Sequence, residues 1–346
     1  MLTNIVLDAM GADKGPEPEI RGAIAACREY PVHIHLVGPE HLIEPALKTH
    51  LAGEHLPIEV VHASEWISMD DKAASAVRSK RDSSMRVGLK LVREGTARGF
   101  VTAGNTGAAM ATAKMVLGTV AGVDRPALAT ILPTMTGSPC VLLDAGANVD
   151  SDPRNLVQFA LMGQIYARNV LGISRPRVGL LSIGEEDGKG NALTRETLPL
   201  LRALQGQAFH NFIGNVEGRD LFNGRCDVVV CDGFVGNVAI KTTEGIAKLI
   251  SESLKQTLKT TITSQVGALL SRKAFKNFKR RLDYSEYGGA PLLGVRGACI
   301  IGHGSSNEVA IQNAIRVASQ FAQADVNRHI EASLTDAAAV VAAPTA

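Results

Sequence analysis

Short apolar runs of strand length alternate along most of this chain with longer segments whose apolar residues recur every three or four positions. The runs are NIVLDA at 4–9, HIHLVG at 33–38, IEVVHA at 58–63, GFVTA at 99–103, PCVLLDA at 139–145 and VGLLS at 178–182. Helical spacing fills the intervals with EIRGAIAACREY, HLIEPALKTHLA, MRVGLKLVREG, an Ala-rich stretch after Gly107, RNLVQFALMGQIYARNVLG and ALTRETLPLLRAL. HNFIGNVEGRDLF and CDVVVCDGFVGNVAIKTTEG repeat the unit, and ACIIGHGSSNE carries a last strand before the helix VAIQNAIRVASQFA. Strand, turn and helix in this order predict an α/β fold with a doubly wound, mainly parallel sheet. GGAPLLGVRG at 288–297 reads as a glycine-rich loop.

The pattern breaks twice. From 243 to 282 the chain reads as two basic helices, with Ile246, Ile250, Leu254, Leu258 and Ile262 on one stripe joined by Leu249. The second piece sets Leu269, Leu270, Phe275, Phe278 and Leu282 beside Arg272, Lys273, Lys276, Lys279, Arg280 and Arg281. Such a stripe serves as the core of a helical hairpin or a dimer interface. It equally suits docking on an acidic partner or an anionic membrane, where each basic residue contributes roughly 1 kcal/mol. From about 332 an Ala-rich tail without aromatic residues is expected to be frayed or disordered. The expected organisation is one catalytic domain over 1–331, including a helical protrusion at 243–282, followed by that tail.

At 346 residues and 45% hydrophobic content the chain can bury a large core, as one elaborate domain or two intimately packed ones. A net charge of +2 argues against a general nucleic-acid binder, and 4% aromatic content leaves little for base stacking. Five cysteines, Cys27, Cys140, Cys226, Cys231 and Cys299, lack CxxC spacing and sit mostly in apolar runs, as reduced buried thiols do. The first residues show no basic n-region or long apolar core, and no run reaches membrane-spanning length. A cytoplasmic protein is expected.

Polar, glycine-containing turns follow most strands, and ligands of open α/β sheets bind beyond the carboxyl ends of the strands, so these turns are expected to converge. The most pointed is RVGLLSIGEEDGKGN at 177–191, a strand, a glycine-rich loop and a helix start. A helix N-terminus favours an anion, and Lys189 between Gly188 and Gly190 adds one cation, which suits a phosphate group. It is no Walker A loop: only three residues separate Gly184 from Gly188-Lys189, and Gly190-Asn191 follows in place of Ser or Thr. A solvated turn with Asn191 as a helix cap accounts for the same residues. Asn105 and Thr106 in AGNTGA, Asp144 and Asn148 in LLDAGANVD, Asp232, Gly236 and Asn237 in DGFVGN, and His303 in GHGSSNE are the other candidates. For each, a cap or turn role is the alternative.

LDAMGADKGP, AGNTGA, LLDAGANVD, SIGEEDGKGN, DGFVGN and GGAPLLG, in this order over roughly 4–320, resemble the bacterial phosphate acyltransferase (acyl-ACP:phosphate transacylase) family. One departure is Gly11-Ala12, where members commonly carry two glycines; a single methyl is a small change. The resemblance implies a homodimer with a three-layer α/β/α fold, like phosphotransacetylases and isocitrate dehydrogenase-like enzymes. It implies reversible transfer of a fatty acyl group from acyl-ACP to inorganic phosphate, giving acyl phosphate for phospholipid synthesis. It further implies peripheral membrane association and hand-off of the product to a membrane glycerol-3-phosphate acyltransferase, a second use for the basic helices. No cofactor or metal is expected.

Under that resemblance the chemistry needs little acid or base help, because phosphate is already ionised and the thioester releases a thiolate. No Ser-His-Asp order, HExxH or lone activated Cys is visible. Direct attack of phosphate on the acyl carbonyl, without an acyl-enzyme, is therefore expected. Lys189 would hold the phosphate, with Gly188, Gly190 and Asn191 forming its loop, and Asn237 would donate its amide to the oxyanion. Asn105, Thr106, Asp144, Asn148, Asp232, Gly236 and His303 would bind or orient substrate, or handle protons. Two rivals make separate predictions. A nicotinamide-dependent dehydrogenase needs GxGxxG after the first strand, where MGADKGP stands, and a non-catalytic membrane or ACP scaffold leaves the polar strand ends unexplained.

Overall fold

The computed structural model describes residues 2–209, 211–275, 278 and 288–342. Eleven strands form one sheet in the order β3-β2-β1-β4-β11-β10-β5-β6-β9-β7-β8. In chain order they are β1 (Thr3–Asp8), β2 (Val32–Gly38), β3 (Ile58–His62), β4 (Gly99–Thr102), β5 (Ala127–Leu132), β6 (Cys140–Leu143), β7 (Val178–Leu181), β8 (Phe212–Val216), β9 (Val228–Val230), β10 (Ala290–Leu293) and β11 (Ala298–Ile301). Most are apolar on both faces because helices cover both. Phe100 packs with α4 (Ser84–Arg93) and α5 (Thr106–Leu117), while its neighbour Val101 packs with α1 (Glu17–Glu29) and α11 (Glu308–Gln323). In the other half Val141 and Leu143 face α6 (Pro153–Asn169), α7 (Ala192–Ala203) and α12 (Val326–Ala342). Leu142 and Val229 face α8 (Asp220–Asn223) and α9 (Gly233–Thr257). The described residues also form α2 (Glu40–Leu51), α3 (Ala73–Ser79) and α10 (Ile262–Leu270). The architecture is α/β/α in three layers.

The sheet is mixed in one place that matters. β11, β10, β5 and β6 are joined by three successive antiparallel pairings, so the parallel set β6, β9, β7, β8 runs opposite to the set β3, β2, β1, β4, β11. The expectation that all turns gather at one end of the sheet is thereby corrected. The stagger restores the convergence in another form. Ala129 pairs with Leu143, Leu128 with Leu292, and Pro291 with Ile300. Extending these registers puts Leu143, which ends β6, level with Ile300, about one residue or ~3.3 Å from Ile301 at the end of β11. The carboxyl ends of the two sets thus meet at one height, facing opposite ways across two central strands.

Three further expectations are corrected. The stretch 288–297 is not simply loop: it contains β10, a four-residue strand between glycines of positive φ, Gly288, Gly289 and Gly294. α9 starts at Gly233, although the sequence pattern has the glycines of DGFVGN close a strand and the helix begin just before Lys241, and it runs unbroken to Thr257. The Ala-rich tail is helical as far as Ala342, because Leu334 and Ala337 bury themselves in the cluster around α6. Among the described residues, no helix is long and apolar enough to cross a membrane.

Candidate active site

The Asp144 carboxylate organises the turn after β6. Its Oδ1 accepts from the N–H groups of Leu128, Gly146 and Ala147, and its Oδ2 from Asn148 N–H at 2.7 Å and Asn148 Nδ2 at 2.9 Å. Burial pushes this carboxyl above its ordinary range, and the N–H donors oppose the rise. With both oxygens engaged only as acceptors, the turn is built around the ionised form. Asn148 Nδ2 also donates to the Pro126 carbonyl. Asp144 and the Asn148 Nδ2 group therefore shape the loop.

α9 begins flush against that turn. Asp232 caps it by accepting from Val235 N–H at 2.9 Å, and Gly233 N–H donates to the Asn148 carbonyl at 2.8 Å. A Cβ on Gly236 would overlap the Asp144 carbonyl oxygen, so only glycine lets the helix approach so closely. One residue on, Asn237 lies over Gly146: a Cβ built there would be 3.5 Å from Asn237 Oδ1. Gly146 itself has φ +133°, which glycine alone adopts readily. Asn237 is exposed, and among the described residues its amide has no hydrogen-bond partner. Cys231 lies beneath, its thiol 3.7 Å from the Asp144 carbonyl oxygen, buried and pushed well above the ordinary thiol range by desolvation. A thiol so placed is no nucleophile.

The Lys189 loop leaves β7 beside this junction, since Leu180 pairs with Val230 one strand away, ~4.8 Å across the sheet. Two of the loop's three acidic side chains are paired. Glu185 pairs with Arg219 and Arg225, Asp187 with Arg202, and the Glu186 carbonyl accepts from Asn215 Nδ2 and Lys189 N–H. Among the described residues neither Lys189 nor the Glu186 carboxylate has an ion-pair partner. The Lys189 stem lies over Gly184, and its side chain is exposed. No direct contact links it to Asn237. Gly188 has nothing near its missing Cβ, whereas Gly190, at φ +111°, has no room for one against Thr194 Oγ1. Asn191 caps α7, accepting from Thr194 N–H at 2.9 Å.

The remaining candidates gather at the carboxyl ends of the other set. Asn105 caps α5 through Ala108 N–H, and its Nδ2 donates to the Met69 and Asp71 carbonyls, so its amide is fully used. Thr106 is exposed at the first position of that helix. His303 Nδ1 accepts from Ser305 N–H at 3.2 Å and lies 2.8 Å from Ser305 Oγ. That acceptor role places the proton of the neutral ring on Nε2. The neighbouring Gly304 carbonyl accepts from Asp13 N–H, which ties the His303 turn to the first loop.

Two acidic residues flanking that first loop carry no sequence signal strong enough to single them out. Asp8 ends β1 fully buried, accepting from Thr102 Oγ1 at 2.7 Å and Met10 N–H at 3.1 Å, and burial raises it. Its position at a strand end was the available signal. Glu19, in the first turn of α1, is also fully buried, and neither carboxyl oxygen has a hydrogen-bond partner among the described residues. Burial pushes it up to about 7; the Asp8 charge adds to this, and the N–H groups of Glu19 and Ala12 oppose it without closing full hydrogen bonds. In sequence it looks like an ordinary solvated first-turn acid. Gly11 is confined by Gly104 and Asp8, but Ala12 is only partly buried, so the methyl that departs from the two-glycine pattern is accommodated.

The basic segment lies elsewhere on the surface. α10 buries none of its residues, and α9 buries only Gly233 and Gly236. Ile246, Leu249, Ile250, Ile262, Leu269 and Leu270 are all exposed, the last by 82%. Arg272 and Lys273 are exposed, Phe275 is half-buried and Phe278 is exposed. Lys276, Lys279 and Arg280 lie outside the described residues. Among the described residues, no group of three His, Cys, Asp or Glu is arranged to hold a metal ion.

The comparisons agree with one another. The family model described as fatty acid synthesis protein matches residues 3–329. The chain is 69% identical to a phosphate acyltransferase of Acidobacterium capsulatum over 96% of its own length and 97% of that protein. It is 60% identical to a phosphate acyltransferase of Koribacter versatilis, over 95% and 92%. Among solved structures, a phosphotransacetylase from Streptococcus pyogenes superposes with a TM-score of 0.60 at 16% identity, over 93% of this chain and 94% of that one. The EutD phosphotransacetylase of Staphylococcus aureus gives 0.59 at 15% identity over the same shares. These last two share the fold. With near-complete coverage by close relatives and the fold of the phosphotransacetylases, the chain belongs to the phosphate acyltransferase family and is an acyltransferase.

Proposed function

We propose that the protein transfers a fatty acyl group reversibly from acyl-ACP to inorganic phosphate, giving acyl phosphate for phospholipid synthesis. A phosphate oxygen attacks the thioester carbonyl carbon. The new C–O bond forms as the C–S bond breaks, and the thiolate of the carrier departs and takes up a proton. Lys189 holds the phosphate as a compact cation, and the Asn237 amide donates to the oxyanion that develops on the carbonyl oxygen. The single observation that carries this reading is the placement of an unspent amide, Asn237, at the Asp144–Gly236 junction, one strand from the loop that carries the unpaired cation Lys189. The scaffold residues Asp144, Asn148, Asp232, Gly236 and Asn191 act by fixing that placement.

No acyl-enzyme forms in this mechanism. Burial supports that: it drives the thiols of Cys27, Cys226 and Cys299 up to about 12, and pushes those of Cys140 and Cys231 well above the ordinary thiol range. Thiols held protonated are poor nucleophiles. The protein works in the cytoplasm as a homodimer, with the exposed apolar and basic faces of α9 and α10 meeting a partner copy, acyl carrier protein or the anionic membrane surface. A membrane glycerol-3-phosphate acyltransferase then receives the product.

The test is acyl phosphate formation by Lys189→Ala and Asn237→Ala, with folding checked by circular dichroism. Asn237→Ala is expected to lower kcat by about a hundredfold or more, the usual loss for one oxyanion donor. Lys189→Ala is expected to raise the KM for phosphate as well as slow turnover. Wild-type rates in both variants would remove these two residues from the mechanism.

A further inference from the structure

Large apolar side chains stand exposed around the Asn237 junction. Phe234, in the first turn of α9, is 62% exposed, and Val238 in the next turn is exposed as well. Val149, one residue past Asn148, is exposed, and so is Ile183, which follows the end of β7. None of the four belongs to a packed cluster of the core. Their neighbours place them. Phe234 precedes Asn237 by three positions and Val238 by four, so these three side chains adjoin on one face of α9, with Cβ atoms ~5–6 Å apart. The bond from Gly233 N–H to the Asn148 carbonyl, at 2.8 Å, joins the residues next to Phe234 and Val149 and sets those two turns side by side. Ile183 adjoins Gly184, over which the Lys189 stem lies.

The chain of an acyl group is joined to the carbonyl carbon whose oxygen Asn237 receives. Its first methylenes therefore leave the junction either beneath the start of α9 or over its outer face. The way beneath is shut, because backbone lies directly on backbone there. A Cβ on Gly236 would overlap the Asp144 carbonyl oxygen, and one on Gly233 would stand 2.5 Å from the Asn148 carbonyl oxygen. Over the outer face the chain meets Phe234 and Val238 on α9 and Val149 on the adjoining turn. An exposed phenyl ring in the opening turn of a helix adds nothing to the core, whereas contact with an alkyl chain removes apolar surface of both from water. Each methylene so covered raises affinity by about fourfold.

We propose that Phe234, with Val149 and Val238, holds the first methylenes of the acyl chain and sets how strongly the rate depends on chain length. This rests on the acyl transfer proposed above and names the part of the site that reads the acyl group. Phe234 acts by binding, apart from the reacting atoms, and Ile183 bounds the same surface on the Lys189 side.

The test compares kcat/KM for decanoyl-ACP with that for butyryl-ACP at saturating phosphate, in the wild type, Phe234→Ala and Phe234→Leu. The side chain is exposed and outside the core, so both variants are expected to fold. In Phe234→Ala the decanoyl-to-butyryl ratio should fall by at least about tenfold, the loss of contact with roughly two methylenes. Phe234→Leu should lie between, and the KM for phosphate should stay at the wild-type value. An unchanged ratio, in a wild type that does make acyl phosphate, would overturn the assignment and leave acyl transfer standing. An equal loss with both substrates would also overturn it, since Phe234 would then serve the fold or the docking of the carrier. Sedimentation of the same proteins provides a further check: weakened self-association in Phe234→Ala would give this face to a second copy of the chain instead. A wild type that forms no acyl phosphate from either substrate would remove the transfer reading and this proposal with it.

Discussion

Single residues divide sharply into those that build the junction and those left over for chemistry. Asp144 and Asn105 looked in sequence like candidate reactive groups, yet each has every polar atom engaged in shaping a turn. Asn237 and Lys189, the leading candidates in sequence, have side chains without hydrogen-bond or ion-pair partners among the described residues. Residue type at a strand end was legible in the chain. What was not legible is hydrogen-bond accounting, because it depends on neighbours such as Leu128 and Pro126 that lie far from Asn148 in sequence.

Glu19 is the clearest case, and it makes a pH prediction. Its folded carboxyl keeps a proton up to about 7, against 4.5 for an ordinary glutamate. Between those values only the folded state carries that proton, so its contribution to stability is full below about 4.5 and is lost as pH rises towards 7. The expected swing is about 3 kcal/mol at most. Denaturant unfolding of the wild type and Glu19→Gln from pH 4 to 8 should show the variant gaining relative stability across that window and levelling off above it. Parallel curves would show that the Glu19 carboxyl is solvated.

Among elements, those the sequence pattern missed are the ones that give the sheet its stagger. β10 has four residues with Pro291 inside and glycines around it, so it carries no strand signal of its own. β5 is buried on nearly every residue, so its six residues show no alternation that marks an antiparallel strand. Without these two antiparallel strands the remaining runs read as a uniform parallel sheet, and the turns seem to share one end. The long, periodic helices were legible, but the start of α9 was misplaced because the glycines of DGFVGN look like breakers. In the structure Gly233 and Gly236 are helical, needed for close approach to the Asp144 turn.

Gly236→Ala therefore tests the docking of α9 on that turn. Its methyl would overlap the Asp144 carbonyl oxygen, so the helix start must shift, at a cost of about 1–3 kcal/mol by overpacking, and Asn237 moves with it. Thermal unfolding should begin lower and acyl transfer should fall together. Unchanged stability and rate would show that the turn and the helix are not in contact. At the far end of the same helical segment, Leu269→Glu with Leu270→Glu places charge on side chains exposed by 70% and 82%. Binding to anionic vesicles should drop while acyl transfer from soluble acyl-ACP persists. Wild-type vesicle binding would remove this face as a membrane contact.

For the molecule as a whole, two oppositely directed parallel sets meet through the central strands, and their carboxyl ends come level at Leu143 and Ile301. Helix N-termini from both sets, α5 and α9, flank that level, and Ala109 of one and Ile240 of the other belong to one packed cluster. The reaction proposed here asks little beyond such a meeting place, because phosphate brings its own charge and the thioester its own leaving group. The most direct measurement presents the purified protein with acyl-ACP, with and without ¹⁸O-labelled inorganic phosphate, and follows both protein and products by mass spectrometry. With phosphate, acyl phosphate should form carrying all of the labelled phosphate oxygens; without it, the enzyme should keep its unmodified mass. Stoichiometric acylation of the enzyme without phosphate, or release of free fatty acid in place of acyl phosphate, would contradict direct transfer.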